Sequence, residues 1–165
     1  MLKSKHLIGL EHFPVSDLNK IIDTSFKFKD ILQTESRKAI LLKGKTIVNM
    51  FFENSTRTKI SFSLAEKRLG ADSINFSAST SSVKKGETLK DTVQNIESMK
   101  IDGAVIRHGH PGSALKLTEY IDGAVINAGD GSHEHPTQAI LDMVTLKEKF
   151  GKIKGLKVGI IGDIL

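Results

Sequence analysis

The chain has 165 residues, 39% hydrophobic and 26% charged, with a formal net charge of +5 and no cysteine. That composition suits one soluble domain, or one domain plus a fragment, in a reducing cytoplasm, and it excludes disulfides, thiolate metal sites and thiol nucleophiles. No apolar run approaches the roughly 18 residues of a membrane span, no signal-like apolar region follows Met1–His6, and eight Phe and one Tyr at mostly apolar positions make no stacking platform for nucleic acid.

The first element is a helix starting at Pro14-Val15-Ser16-Asp17, with Ser16 as its N-cap and Leu18, Ile21, Ile22, Phe28, Ile31 and Leu32 as its apolar stripe. A polar, basic connection leads to Gly44. Residues 46–51 read as a buried strand, 57–69 as a helix stopped by Gly70, and 73–76 as a second strand. Residues 77–87 have no periodicity and form a polar loop containing Ser81, Lys84 and Lys85. Thr88-Leu89-Lys90-Asp91 is a capping box opening a helix to about Met99. Ile101–Arg107 and Ile121–Asn127 are near-repeats, each a β-branched run following a helix; the helix between them opens at Pro111-Gly112-Ser113-Ala114 and runs to Tyr120. The last helix spans Pro136 to Phe150 with Gly151 as C-cap.

Strands that alternate with helices and are apolar throughout predict an α/β fold, a parallel sheet of about four strands with helices on both faces. Lys157–Asp163 is one more buried-strand pattern. It is expected to be the first strand of a second, truncated α/β domain, so that 1–150 is one domain and 151–165 a linker and the start of the next; the alternative is that it completes the first sheet.

Ligands of such sheets sit beyond the carboxyl ends of the strands. There the first strand hands Ser55, Thr56, Arg57 and Thr58 to the first turn of a helix, where free N–H groups and the dipole favour an anion, phosphate above all. An arginine in that turn opposes the dipole, and a bound anion reverses the sign. The plain alternative is that Ser55 or Thr56 only caps the helix. Arg107 ends its strand as a rigid fork for phosphate or carbonyl oxygen. His135 sits at the entrance of the last helix, where the positive helix end keeps it neutral and able to donate to a carbonyl oxygen, and Gln138 is placed to reach back to the same point. Alternatively, His135 is a surface histidine beside a cap. His133 and His135 fall on opposite sides of an extended segment with no third ligand, so no metal is expected. Lys84 and Lys85 could equally be solvated loop lysines.

Ser55-Thr56-Arg57-Thr58-Lys59-Ile60-Ser61-Phe62 and His135-Pro136-Thr137-Gln138 together resemble the signatures of the carbamoyltransferases. Lys84-Lys85-Gly86-Glu87-Thr88-Leu89 and Asn127-Ala128-Gly129-Asp130-Gly131 favour the aspartate branch, as does Thr137 where the ornithine branch usually has cysteine. The resemblance covers nearly the whole chain, from the first helix to Asp163, and identifies it as similar to the amino-terminal, carbamoyl-phosphate-binding half of aspartate carbamoyltransferases. Ser63 departs from the pattern, which usually has glutamate there.

The resemblance implies transfer of a carbamoyl group from carbamoyl phosphate to L-aspartate, in pyrimidine synthesis, without cofactor or metal. It implies that Ser55, Thr56, Arg57 and Thr58 hold the phosphate, that Arg107, His135 and Thr58 polarise the carbamoyl oxygen, and that Gln138 binds the carbamoyl amide. It further implies a homotrimer in which Ser81 and Lys85 enter a neighbouring subunit's site. The family's aspartate-binding arginines lie beyond Leu165, so this chain alone is expected to be inactive. A different carbamoyltransferase and a non-catalytic phosphate-binding or assembly module both stay open on these residues.

Overall fold

The computed structural model describes residues 2–53, 55–77 and 88–162. Its elements in chain order are α1 (Val15–Ile31), β1 (Thr46–Phe51), α2 (Thr56–Leu69), β2 (Asp72–Ser77), α3 (Leu89–Ser98), β3 (Gly103–His108), α4 (Ser113–Leu117), β4 (Ala124–Asp130) and α5 (Pro136–Phe150). The four strands form one parallel sheet in the order β2-β1-β3-β4.

The alternation of side chains across a strand divides the core in two. Val48 and Met50 of β1, Ala104 and Ile106 of β3 and Val125 of β4 pack with Val93 and Ile96 of α3 and Leu117 of α4. Phe51, Val105 and Ala128 face the other way, with Phe62 of α2. The sheet is therefore covered on both faces, which is why its strands read as continuous apolar runs. The chain leaves β1 towards β2 on one side and resumes at β3 on the other. The reversal of direction lies between β1 and β3, and a crevice opens there at the carboxyl ends.

Several boundaries differ from the sequence reading. Pro14, not Ser16, is the N-cap of α1, without a side-chain cap bond. Asp17 is buried and accepts from the Lys3 and Ser4 amides, both at 2.8 Å, which tethers the amino-terminal strap. That strap runs beside the outer edge of β4 through a Leu7–Ile126 bridge, so the edge is not left open. α4 ends at Leu117, short of Tyr120. β4 begins three residues later than expected and continues to Asp130. The near-repeats do lie side by side, but shifted, with Gly103 opposite Ala124; a side chain at Gly123 would meet the Asp102 carbonyl oxygen at 2.4 Å. Residues 157–161 carry no strand ladder and stand exposed: a strand needs a partner, and this sheet ends at β4. The capping box at Thr88 and Asp91 and the left-handed Gly70 and Gly151 C-caps form as read.

A polar seam fastens α2 to the sheet. The buried Glu66 carboxylate accepts from Asn49 of β1 at 2.8 Å and from the Ser73 hydroxyl of β2. Burial is the dominant influence and raises the Glu66 pKa, against the two hydrogen bonds that lower it. Ser63, one turn earlier on the same face, donates to Asn75 at 3.0 Å. The helix thus presents both Ser63 and the Glu66 carboxylate to the same seam.

Candidate active site

The crevice at the β1–β3 reversal is a cleft of about 960 Å³ lined by Ser55, Thr56, Arg57, Thr58, Arg107, His135 and Gln138, with Phe62, Ala65 and Leu141 as its apolar wall. Seven of the nine residues expected at the site thus share one cleft; Ser81 and Lys85 lie outside the described residues.

Two helices begin at this cleft. Ser55 occupies the N-cap of α2, yet its side chain makes no cap hydrogen bond, and His135 likewise occupies the N-cap of α5 without capping it. Neither helix has an acidic residue in its first turn, whereas α1 has Asp17 and α3 has Asp91. The first N–H groups of a helix have no partner within it, and among the described residues no N-cap side chain or first-turn carboxylate serves them here. Arg57 is exposed on the first turn of α2. Two helix ends without side-chain caps thus open on one cleft, with Arg57 on the first turn of α2, and such ends favour a negative charge.

Arg107 is held from three sides. Its Nη1 donates to the Ala128 carbonyl at 3.1 Å and stands 3.4 Å from His135 Nε2. Its Nε lies 3.3 Å from Glu53 Oε2 without hydrogen-bond alignment, so that N–H stays unpaired among the described protein atoms. The placement comes from a bulge. Ile106 pairs with Asn127 and His108 with Asp130, so Ala128 and Gly129 together oppose the single Arg107. Gly129 has φ +121°, and a Cβ there would meet Arg107 Nη1 at 3.1 Å and His135 Cδ2 at 3.5 Å. Only glycine combines that backbone with that approach.

Burial, then the Arg107 charge, lowers the His135 pKa, against a smaller upward pull from Asp142. The imidazole is accordingly neutral at pH 7. Its Nε2 stands 3.4 Å from Arg107 Nη1 and its Nδ1 3.4 Å from Thr137 Oγ1, and the tautomer sets which ring nitrogen donates. Gln138 departs from expectation. Its side chain donates to Asp142 at 3.0 Å along the helix instead of reaching back to His135, because an i,i+4 partner lies on the same face.

Sequence reasoning missed Glu53, Gly129 and Asp130. Glu53 gave no signal, being a lone carboxylate whose partner lies far along the chain. Asp130 is 2% exposed and accepts from the Gly112, Glu134, Asn127 and His133 nitrogens. Its burial raises its pKa, but those hydrogen bonds together outweigh that and leave it lowered. No group of three or more potential metal ligands occurs among the described residues, and no described helix is long and apolar enough to cross a membrane.

Residues 5–148 match the family described as aspartate/ornithine carbamoyltransferase, carbamoyl-P binding domain. The aspartate carbamoyltransferase catalytic subunit of Christiangramia forsetii is 54% identical over 99% of this chain and 53% of its own length; that of Flavobacterium johnsoniae is 53% identical over the same shares. Among solved structures, the aspartate transcarbamoylase of Trypanosoma cruzi in complex with carbamoyl aspartate and phosphate superposes with a TM-score of 0.84 at 34% identity, over 92% of this chain and 48% of that one. The catalytic subunit of M. jannaschii aspartate transcarbamoylase gives 0.84 at 41% identity, over 93% and 50%. The chain spans about half the length of the curated relatives it matches.

Proposed function

The chain belongs to the aspartate/ornithine carbamoyltransferase family, and on that premise we propose that it supplies the carbamoyl-phosphate half of an enzyme that carbamoylates the amino group of L-aspartate. The products are N-carbamoyl-L-aspartate and phosphate. Residues 1–150 are the carbamoyl-phosphate domain, and 151–165 lead into the aspartate domain. The complete protein is a cytoplasmic homotrimer of pyrimidine synthesis, with Ser81 and Lys85 entering a neighbour's site.

The observation that carries this reading is the cleft itself, where the uncapped α2 end with Arg57 lies across from Arg107 and His135. Phosphate binds to Ser55, Thr56, Arg57 and Thr58. The carbamoyl oxygen then sits between Arg107, His135 and Thr58, and the amide meets Gln138 once that side chain leaves Asp142. The amine of aspartate attacks the carbonyl carbon, the bond to the phosphate oxygen breaks, and the amine proton leaves with the phosphate. Negative charge grows on the carbonyl oxygen and on the leaving phosphate. Fixed donors stabilise it without reorganising, each worth about 3–4 kcal/mol in comparable sites. His135 donates to that oxygen in the tautomer that carries its proton on Nε2, beside Arg107 Nη1.

The test is a calorimetric titration of this chain with carbamoyl phosphate and with inorganic phosphate, together with a product assay on the complete protein. Tighter binding of carbamoyl phosphate and formation of carbamoylaspartate are expected. Equal affinity for the two would make this a phosphate-binding module, and carbamoylation of ornithine in place of aspartate would move the protein to the other branch. The chain alone, lacking a wall to hold the nucleophile, should form no product above the uncatalysed rate.

A further inference from the structure

We propose that Asp130 is a positioning residue that sets the separation of Arg107 and His135 by clamping together the loops that follow β3 and β4. Its relevance to catalysis rests on the carbamoyl-phosphate reading above.

Arg107 lies near the end of β3 and His135 at the N-cap of α5, after the loop that leaves β4, and no covalent link closes the gap between them. Asp130 lies between the loops that follow these two strands. Its Oδ2 accepts from the Gly112 amide at 2.8 Å, in the loop that leaves β3. Its Oδ1 accepts from the Glu134 amide at 2.9 Å, one residue before His135. Asn127 reinforces the second arm, donating to Oδ1 at 3.2 Å while accepting from the Gly129 amide at 2.9 Å. Asn127 also donates to the Ile8 carbonyl at 2.8 Å, which carries the network to the amino-terminal strap. The backbone closes the same gap: the Gly131 amide donates to the His108 carbonyl at 2.9 Å, and a Cβ at Gly131 would meet the Gly109 oxygen at 2.5 Å. The two loops therefore touch along their length, and one buried carboxylate accepts from both.

A carboxylate is suited to this task because both oxygens accept. Asparagine has the same shape, but an NH₂ group in place of one oxygen faces the Gly112 N–H, donor against donor. In Asp130→Asn the Glu134 arm survives and the Gly112 arm opens. His135 then moves relative to Arg107, so the group most sensitive to the separation is the imidazole. From β3 it faces Arg107, and from α5 it faces Thr137 and Asp142.

The experiment follows His135 by imidazole NMR through a pH titration in wild type and Asp130→Asn, and measures carbamoyl phosphate affinity in both. The His135 pKa should rise towards the ordinary histidine value as Arg107 recedes, and affinity should weaken about tenfold, the scale of one misplaced charge-assisted hydrogen bond. A role in stability alone would lower the melting temperature and leave the titration of the folded chain unchanged. A folded Asp130→Asn chain with wild-type titration and wild-type affinity overturns the proposal.

Should that variant not fold, amide exchange in the wild type decides. With inorganic phosphate bound, the Gly112 and Glu134 amides should slow by the same factor, because both end on one carboxylate. Slowing at Glu134 alone overturns the clamp. If the wild type binds neither phosphate compound, the proposed function fails, while the ligand-free His135 titration still judges the clamp.

Discussion

Replacing Gly129 by alanine tests the bulge that aims Arg107. The residue sits at φ +121°, where a non-glycine backbone is strained by about 1–3 kcal/mol. The new methyl group would start 3.1 Å from Arg107 Nη1 and 3.5 Å from His135 Cδ2, so the guanidinium must retreat by a few tenths of an ångström. That retreat loosens the 3.1 Å bond to the Ala128 carbonyl, which is worth about 1 kcal/mol. The sum is about 2–4 kcal/mol of stability, or roughly 4–16 °C in melting temperature for a chain of this size. Carbamoyl phosphate affinity should fall about tenfold for each ~1.4 kcal/mol by which Arg107 is misplaced. Thermal unfolding and calorimetric titration measure the two effects separately. Gly44→Ala is the control: its φ is +75° and its methyl group would meet nothing within 4 Å, so it should lose some stability and no affinity. A Gly129→Ala chain that melts and binds like wild type would refute the reasoning.

Arg57→Ala should weaken carbamoyl phosphate binding by about 1.5–3 kcal/mol, the range for a hydrogen bond to a charged group, and unchanged affinity would remove Arg57 from the phosphate site. In the complete protein, refolded mixtures of Lys85→Ala and Arg57→Ala subunits should regain activity that neither has alone, since a hybrid trimer can hold one intact shared site; confirmed hybrids that stay dead would end the sharing proposal. Glu66→Gln should change the dependence of stability on pH. The folded-state pKa of Glu66 is raised above its ordinary 4.5, so the wild type binds the proton more tightly when folded and loses that stabilisation as pH climbs from 4.5 through the raised value. Denaturant melts across that window should fall more steeply for wild type than for Glu66→Gln, and parallel curves would contradict the burial of this carboxylate.

The parallel α/β class was legible in the sequence because burial on both faces removes polar alternation from the strands, and the run from Ser55 to Thr58 was legible because a helix start is a local event. The capping box at Thr88 and the glycine C-caps are local in the same way. The strand order was not legible. It depends on which face each crossover helix covers, and it alone put β1 beside β3 and opened the cleft between Ser55 and Arg107. The exposed, unpaired 157–161 segment has the same lesson, since an apolar run is a strand only when a neighbour supplies its ladder. Gln138 turned to Asp142 because the competing partner was four residues away on the same helix face. Glu53 carried no pattern of its own, and Gly129 and Asp130 were read only as members of the Asn127–Gly131 run, which says nothing of what they touch. Their roles arise from a two-against-one bulge and a buried carboxylate spanning two loops, and such contacts join residues that the chain keeps apart until the sheet has formed.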